Sequence, residues 1–119
     1  MAENEKGLTL GESALPRTYE RFSERYPDIA RSNAVLGKAA ANAGPLERKV
    51  SELVKLGISL GAGLESAAKS HARRALGAGA TREEVEHAVL LGVSTVGFSR
   101  TVMTWVWVTE QLDGEGGAA

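Results

Sequence analysis

The sequence predicts an all-α fold of about six helices, and three observations support this prediction. Apolar residues recur at intervals of three and four along most of the chain, which is the spacing of one helical face. Proline and glycine interrupt that pattern where short helices would end. The one segment with a local preference for strand, Trp105-Val106-Trp107-Val108, has no second strand with which it could pair. We therefore predict a helix there as well.

The size of the chain indicates a single helical domain. Its 119 residues are 43% hydrophobic and 24% charged, as in ordinary globular proteins. Residues 1–12 and 113–119 lack apolar periodicity and are predicted to be flexible tails around a domain at 13–112. A core of this size buries only about two thirds of the unfolded surface, so association with further copies would add stability.

The first three helices are separated by prolines. In chain order, the six predicted helices cover residues 13–26, 28–43, 45–60, 64–76, 82–97 and 99–112. Pro16 suits the first turn of the first helix, Pro27 separates the first from the second, and Pro45 begins the third. The third carries the densest apolar pattern, which predicts a central helix that neighbours cover on most sides.

The fourth and fifth helices have more specific signals. The fourth presents a stripe of mostly small residues, which permits close helix packing. The fifth begins with a capping box, in which the Thr81 hydroxyl and the Glu84 carboxylate satisfy free amides at the helix start. Its predicted inward stripe comprises Val85, Ala88, Val89, Gly92, Val93 and Val96. On the sixth helix, Trp105 and Trp107 point to opposite sides, and we expect one of them to lie in a subunit contact.

Composition excludes several classes of function. The formal net charge of −1 gives no reason to expect nucleic acid or an anionic membrane as a partner. The absence of cysteine excludes disulfides, thiolate metal sites and dithiol redox chemistry. No stretch is apolar enough to span a bilayer, and residues 1–12 lack the apolar core of a signal peptide, so we expect a cytoplasmic protein.

Glu52 and His71 are the candidates for chemistry. His71 interrupts the stripe of small residues on the fourth helix, where an imidazole needs a hydrogen-bonding partner. An antiparallel turn around Gly61 to Gly63 would bring it near Glu52 on the third helix. A Glu–His pair between packed helices can transfer protons near neutral pH. The alternative is a structural histidine satisfied by another acceptor, with Glu52 paired to Lys55 on a solvated face.

A metal site is not expected. His87 follows a run of acidic residues beside the fifth helix's inward stripe, and we interpret it as a solvated side chain. Glu84 and His87 form a Glu-x-x-His spacing, but only once, whereas di-iron bundles need that motif on two helices. We predict no metal and no other cofactor.

The segment from Leu46 to Arg100 resembles the carboxymuconolactone decarboxylase and alkylhydroperoxidase D-like family. The resemblance rests on a glutamate in an apolar helix, a histidine before an Arg-Ala-Leu run, and a Gly-Ala-Thr capping segment. These are Leu46-Glu47-Arg48-Lys49-Val50-Ser51-Glu52-Leu53, His71-Ala72-Arg73-Arg74-Ala75-Leu76 and Gly79-Ala80-Thr81-Arg82-Glu83-Glu84-Val85. It implies an orthogonal helical bundle that assembles as a homotrimer or homohexamer, with sites near subunit contacts.

The resemblance also implies which chemistry to expect. In the peroxidase branch a Cys-x-x-Cys precedes the histidine, and those positions are Leu64 and Ala67 here, so thiol peroxidase activity is excluded. The decarboxylase branch implies cofactor-free acid–base chemistry on a small carboxylated substrate, with His71 as proton donor and Glu52 as its orienting partner. One or more of the cations Arg48, Lys55, Arg74 and Arg100 are expected to bind the substrate's anionic groups. Leu64 and Ala67 are expected to line the same substrate site. The alternative is a non-catalytic relative that kept the fold and serves as an interaction or scaffold protein.

Overall fold

Every regular element that the structure describes is an α-helix, which confirms the predicted fold class. The computed structural model describes residues 17–118. The predicted tail at 1–12, the predicted helix start at Ser13 and residue Ala119 lie outside this range. In chain order the helices are α1 (Arg17–Arg25), α2 (Pro27–Ala41), α3 (Arg48–Ala62), α4 (Glu65–Gly77), α5 (Arg82–Leu90), α6 (Val93–Val96) and α7 (Phe98–Ala118).

Where the sequence predicts one domain over 13–112, the chain divides into two compact units after Leu46. In the first unit α1 packs on α2, and the rings of Phe22 and Tyr26 lie 5.2 Å apart between centroids. Pro27 occupies the first turn of α2, where its missing N–H has no helical acceptor to lose. None of the residues of α2 is buried.

The second unit contains the buried core. Helix α3 packs against α4, α5 and α7, and α4 also packs against α7. The predicted stripe of small residues on α4 is the inner face of that helix, with Ala68, Ala72 and Ala75 fully buried. The largest fully buried apolar side chains in the same core are Leu56, Val85, Val89 and Val108. The alanines allow α4 to approach its neighbours closely because they add little bulk.

Helix α7 forms where local preference favours strand. Three buried threonines donate their hydroxyl hydrogens to backbone carbonyls one turn earlier: Thr101 to Gly97, Thr104 to Arg100 and Thr109 to Trp105. These bonds satisfy polar groups that burial would otherwise penalise. The helix continues to Ala118, so the predicted helix end at Leu112 is wrong and the predicted tail at 113–119 is helical through Ala118. The helix end was predicted at Leu112 because the Gly-rich residues 113–118 lack apolar periodicity.

The predicted fifth helix is interrupted. Helix α5 ends at Leu90, and α6 is a separate single turn. Gly92 lies so close to α3 that an added Cβ would come within 2.7 Å of Leu60 Cδ2. Val93 and Val96 follow the interruption and are exposed, so their predicted position on the inward stripe of one continuous helix is wrong.

Helix α3 is central but is not covered on most sides as predicted. Its inner face contains buried Glu52 and Leu56, whereas Val54 and Ile58 are 46% and 63% exposed. The apolar pattern of α3 therefore marks two faces, one packed in the core of the second unit and one open.

Candidate functional site

The turn between α3 and α4 brings Glu52 and His71 together. Gly63 ends α3 in the left-handed region at φ 72°, where a residue with a side chain would be strained. Its N–H donates to the carbonyl of Leu60, and the N–H of Leu64 donates to the carbonyl of Ser59. These bonds close the helix end and reverse the chain, as expected from the glycines.

Glu52 and His71 are in direct contact across this helical pair. His71 Nδ1 lies 2.8 Å from Glu52 Oε1. Lys55 Nζ, one turn further along α3, lies 3.8 Å from Glu52 Oε2. Glu52 is only 7% exposed, and the side chain of His71 is 18% exposed. The carboxylate therefore has a partner for each oxygen, and because Glu52 is buried, the solvated face expected in the alternative interpretation is not observed.

The charge state of Glu52 follows from its surroundings. Burial raises the pKa of the carboxyl, but the His71 hydrogen bond and the positive charges of Lys55, His71 and Arg74 together bring the pKa below its ordinary value. Glu52 is thus ionised at neutral pH and can only accept hydrogen bonds. The proton in the short contact must belong to His71 Nδ1, which leaves Nε2 as the ring nitrogen not engaged by Glu52.

The four cations predicted to line the site differ in position. Lys55 contacts Glu52, and Arg74 is an exposed residue whose charge acts on it. Arg48 is exposed in the first turn of α3, one turn before Glu52. Arg100 lies at the other end of α3.

Arg100 holds the turn between α3 and α4, a role that the sequence analysis missed. Its Nη1 donates to the carbonyls of Gly61, at 2.9 Å, and Leu60, at 3.3 Å. These are carbonyls at the end of α3, where no helical donor remains and a cation is favourable. A Cβ on Gly63 would come within 2.9 Å of Arg100 Nη1, so this glycine is required for space as well as for its φ. In the sequence, Gly63 was the residue that could have indicated a close contact at this turn.

Comparison with known proteins identifies the family. The sequence model of the carboxymuconolactone decarboxylase family matches residues 27–110, well over half of the chain. The chain belongs to the carboxymuconolactone decarboxylase family. No curated protein and no solved structure matched the chain.

This member of the carboxymuconolactone decarboxylase family has no thiol with which to reduce a peroxide. Leu64 and Ala67 are the positions at which the family resemblance implies the cysteine pair of the peroxidase branch. Leu64 precedes α4 and is 50% exposed, whereas Ala67 is half-buried within it.

A groove of about 570 Å³ lies in the second unit, between α3 and the α5–α6 segment. We call it the α3–α5 groove. Its apolar lining includes Val50, Leu53, Val54, Ala88, Leu91 and Val96. Glu84 and the exposed His87 contribute polar groups, while Glu52 and His71 are not among the residues that line it. The groove and the Glu–His pair are separate features of this family member.

No helix in residues 17–118 has the length and apolar character needed to cross a membrane. Over the same residues, no three histidine, aspartate or glutamate side chains are grouped so that they could hold a metal ion.

Proposed function

We propose that this family member is a cofactor-free acid–base enzyme of the decarboxylase or lyase type, which acts on a small carboxylated substrate through Glu52 and His71. The 2.8 Å contact between the buried Glu52 carboxylate and the partly exposed His71 ring supports this proposal. A histidine that is oriented by a carboxylate and still accessible has the arrangement that general acid–base catalysis requires.

The remaining charges suit an anionic substrate. Lys55 is about one third exposed, and Arg74 is exposed, so both can contact a ligand beside the pair. In the proposed reaction they bind carboxylate groups of the substrate. The C–C bond to one carboxylate breaks, CO2 leaves, and the electron pair passes to a conjugated carbonyl to give a dienolate.

His71 then completes the reaction as the acid. The doubly protonated imidazole donates the Nε2 proton to carbon and keeps its Nδ1 proton in the hydrogen bond to Glu52. The ring regains its lost proton from water. The Glu52 carboxylate accepts the Nδ1 hydrogen bond and holds the ring in one orientation. Glu52 is therefore a positioning residue, and His71 is the catalytic residue.

The test compares wild type with Glu52→Gln and His71→Gln on small carboxylates that carry a conjugated carbonyl, with CO2 release as the readout. His87→Gln is the matched control, because His87 is exposed and lies outside the pair. We expect both site variants to lower kcat by about a hundredfold to ten-thousandfold and the control to keep wild-type activity. Turnover that survives both site variants would refute the assignment.

A non-catalytic interaction role is the second candidate, and a specific observation favours it. The α3–α5 groove is apolar and open but excludes both Glu52 and His71. A protein that kept the fold for binding alone would show such a surface without turnover. Absence of turnover across the substrate panel, in a wild type whose Glu52–His71 contact is intact by NMR, would favour this candidate over the enzyme.

A further inference from the structure

The α3–α5 groove has the size and the lining of a site for a small molecule. Its volume of about 570 Å³ falls within the range of about 300–1,000 Å³ that is typical of ligand sites. On α3 its lining runs from Val50 to Gly61, which corresponds to about 16 Å at the helical rise of ~1.5 Å per residue. Gly57 and Gly61 line it, and nothing lies within 4 Å of a Cβ added at either position. The groove is therefore long, open and largely apolar, and it suits an elongated apolar molecule.

The two polar side chains that α5 contributes to the groove can both accept a hydrogen bond. Glu84 and His87 lie in the Glu-x-x-His spacing, about one helical turn apart, and both line the groove. Glu84 is ionised at neutral pH, because the backbone N–H of Thr81 and, after it, the charge of Lys49 lower the pKa of its carboxyl. A carboxylate only accepts hydrogen bonds, and a neutral imidazole offers one accepting nitrogen. The complementary ligand group is therefore one that donates.

The charges of α5 favour a cation over an anion in this position. The helix carries three glutamates and one arginine, Arg82. The guanidinium of Arg82 already donates to Glu86, at 2.7 Å, and to Asp113, at 2.6 Å. Lys49 of α3 reaches Glu84, but its Nζ lies 3.4 Å from Oε2, whereas a charge-assisted N–H···O bond is normally about 2.7–2.9 Å long. Glu84 Oε2 can therefore accept a shorter bond from a second ammonium group.

We propose that the α3–α5 groove binds an amphiphilic organic amine, with its apolar chain along α3 and its ammonium group against Glu84 and His87. Burial of the apolar chain supplies the affinity, and the two acceptors supply the preference for an ammonium over a carboxylate. Neither Glu52 nor His71 lines the groove, so this inference holds whether or not that pair catalyses a reaction.

The first test uses octylamine as the probe and octanoate, which has a chain of the same length, as its anionic counterpart. The backbone amide resonances of Gly57 and Gly92, which line the groove, report binding in NMR titrations. We expect octylamine to shift both resonances and to bind about tenfold or more tightly than octanoate does. Octanoate that binds as tightly as octylamine, or no shift at either glycine, would overturn the proposal.

Charge variants then locate the ammonium group. Glu84→Gln removes the charge but keeps an oxygen that can accept from the Thr81 N–H, so the helix cap is preserved. Glu83→Gln is the matched control, because it removes the same charge from α5 at an exposed residue that does not line the groove. We expect Glu84→Gln to weaken octylamine binding about tenfold and Glu83→Gln to change it less than about twofold at ~0.15 M salt. Equal effects of the two variants would refute a direct contact with Glu84.

A bulky side chain in the groove tests where the apolar chain of the amine lies. Gly57→Leu has space within the chain and replaces a poor helix former, so it should preserve the helical circular dichroism spectrum. Gly114→Leu in α7 is the matched control, because an added Cβ there also meets nothing within 4 Å. We expect Gly57→Leu to abolish the shift that octylamine causes at Gly92 and Gly114→Leu to retain it. Octylamine binding to Gly57→Leu with wild-type affinity would refute the groove as the site.

Discussion

The contact between Glu52 and His71 should make a measurable, pH-dependent contribution to stability. Glu52→Gln keeps the shape of the side chain but removes its charge. The variant therefore lacks the charge-assisted hydrogen bond to His71, which is worth about 1.5–3 kcal/mol. Lys55 lies 3.8 Å away and is one third exposed, so its ion pair adds less than about 1 kcal/mol after solvent screening. We therefore expect Glu52→Gln to lower the free energy of unfolding by about 2–4 kcal/mol.

A double-mutant cycle separates the contact from these other effects. The free energy of unfolding is measured by urea denaturation for wild type, Glu52→Gln, His71→Ala and the double variant, all at one protein concentration. At about pH 5.5 the coupling energy between the two residues should be about 1.5–3 kcal/mol, in the range of a hydrogen bond to a charged group. A coupling energy below about 0.5 kcal/mol at this pH would refute the reasoning.

The sign of the pH dependence follows from the Glu52 pKa. That pKa is lower in the folded chain than its ordinary value of 4.5, so the folded state prefers the ionised carboxylate. Its stabilising effect is complete above pH 4.5 and is lost as the pH falls through the folded pKa. The coupling energy should accordingly decline as the pH is lowered below about 4.5. A coupling energy that is constant over that range would contradict an ionised Glu52.

Three further predictions concern the second unit. Gly92→Ala forces the buried Leu60 side chain to move and should destabilise by about 1–3 kcal/mol in urea denaturation, whereas Gly114→Ala, with open space, should not destabilise. Thr81→Ala removes the hydroxyl that accepts from the Glu84 N–H and should cost about 0.5–2 kcal/mol, with α5 amides exchanging faster. Leu56→Ala leaves a cavity at a fully buried position and should lower the free energy of unfolding by about 2–5 kcal/mol, and Tm with it.

Local signals predicted the parts of the structure that depend on neighbouring residues. The capping box at Thr81 and Glu84 is present, with both hydrogen bonds 3.0 Å long. The turn at Gly63 reverses the chain as its glycines suggested, and this turn brings residues 52 and 71 within hydrogen-bonding distance. These features could be predicted because backbone geometry and helix periodicity fix them within a few residues.

Features that depend on distant contacts could not be predicted. The break before Val93 coincides with the approach of Gly92 to Leu60, and no local pattern records which residue a glycine will meet. Arg100 was predicted to bind substrate because it is a cation in the family segment, and its guanidinium contacts carbonyls 39 and 40 positions earlier in the chain, which no local pattern indicates. The open face of α3 could not be predicted, because an apolar sequence pattern is the same whether the face packs in the core or against another molecule.

The bond from Arg100 to the end of α3 has a consequence for how such a site could change during evolution. Two helices joined by a short turn can slide or tilt, and a tilt of α4 would separate His71 from Glu52. The Arg100 guanidinium at the start of α7 binds the turn between α3 and α4. The distance between Glu52 and His71 therefore depends on a third helix that contributes no atom to their contact. An insertion between α4 and α7 would be compatible with the Glu–His contact only if it returned Arg100 to the same carbonyls. The hairpin alone, excised from the protein, would keep both residues but lose this means of fixing their distance.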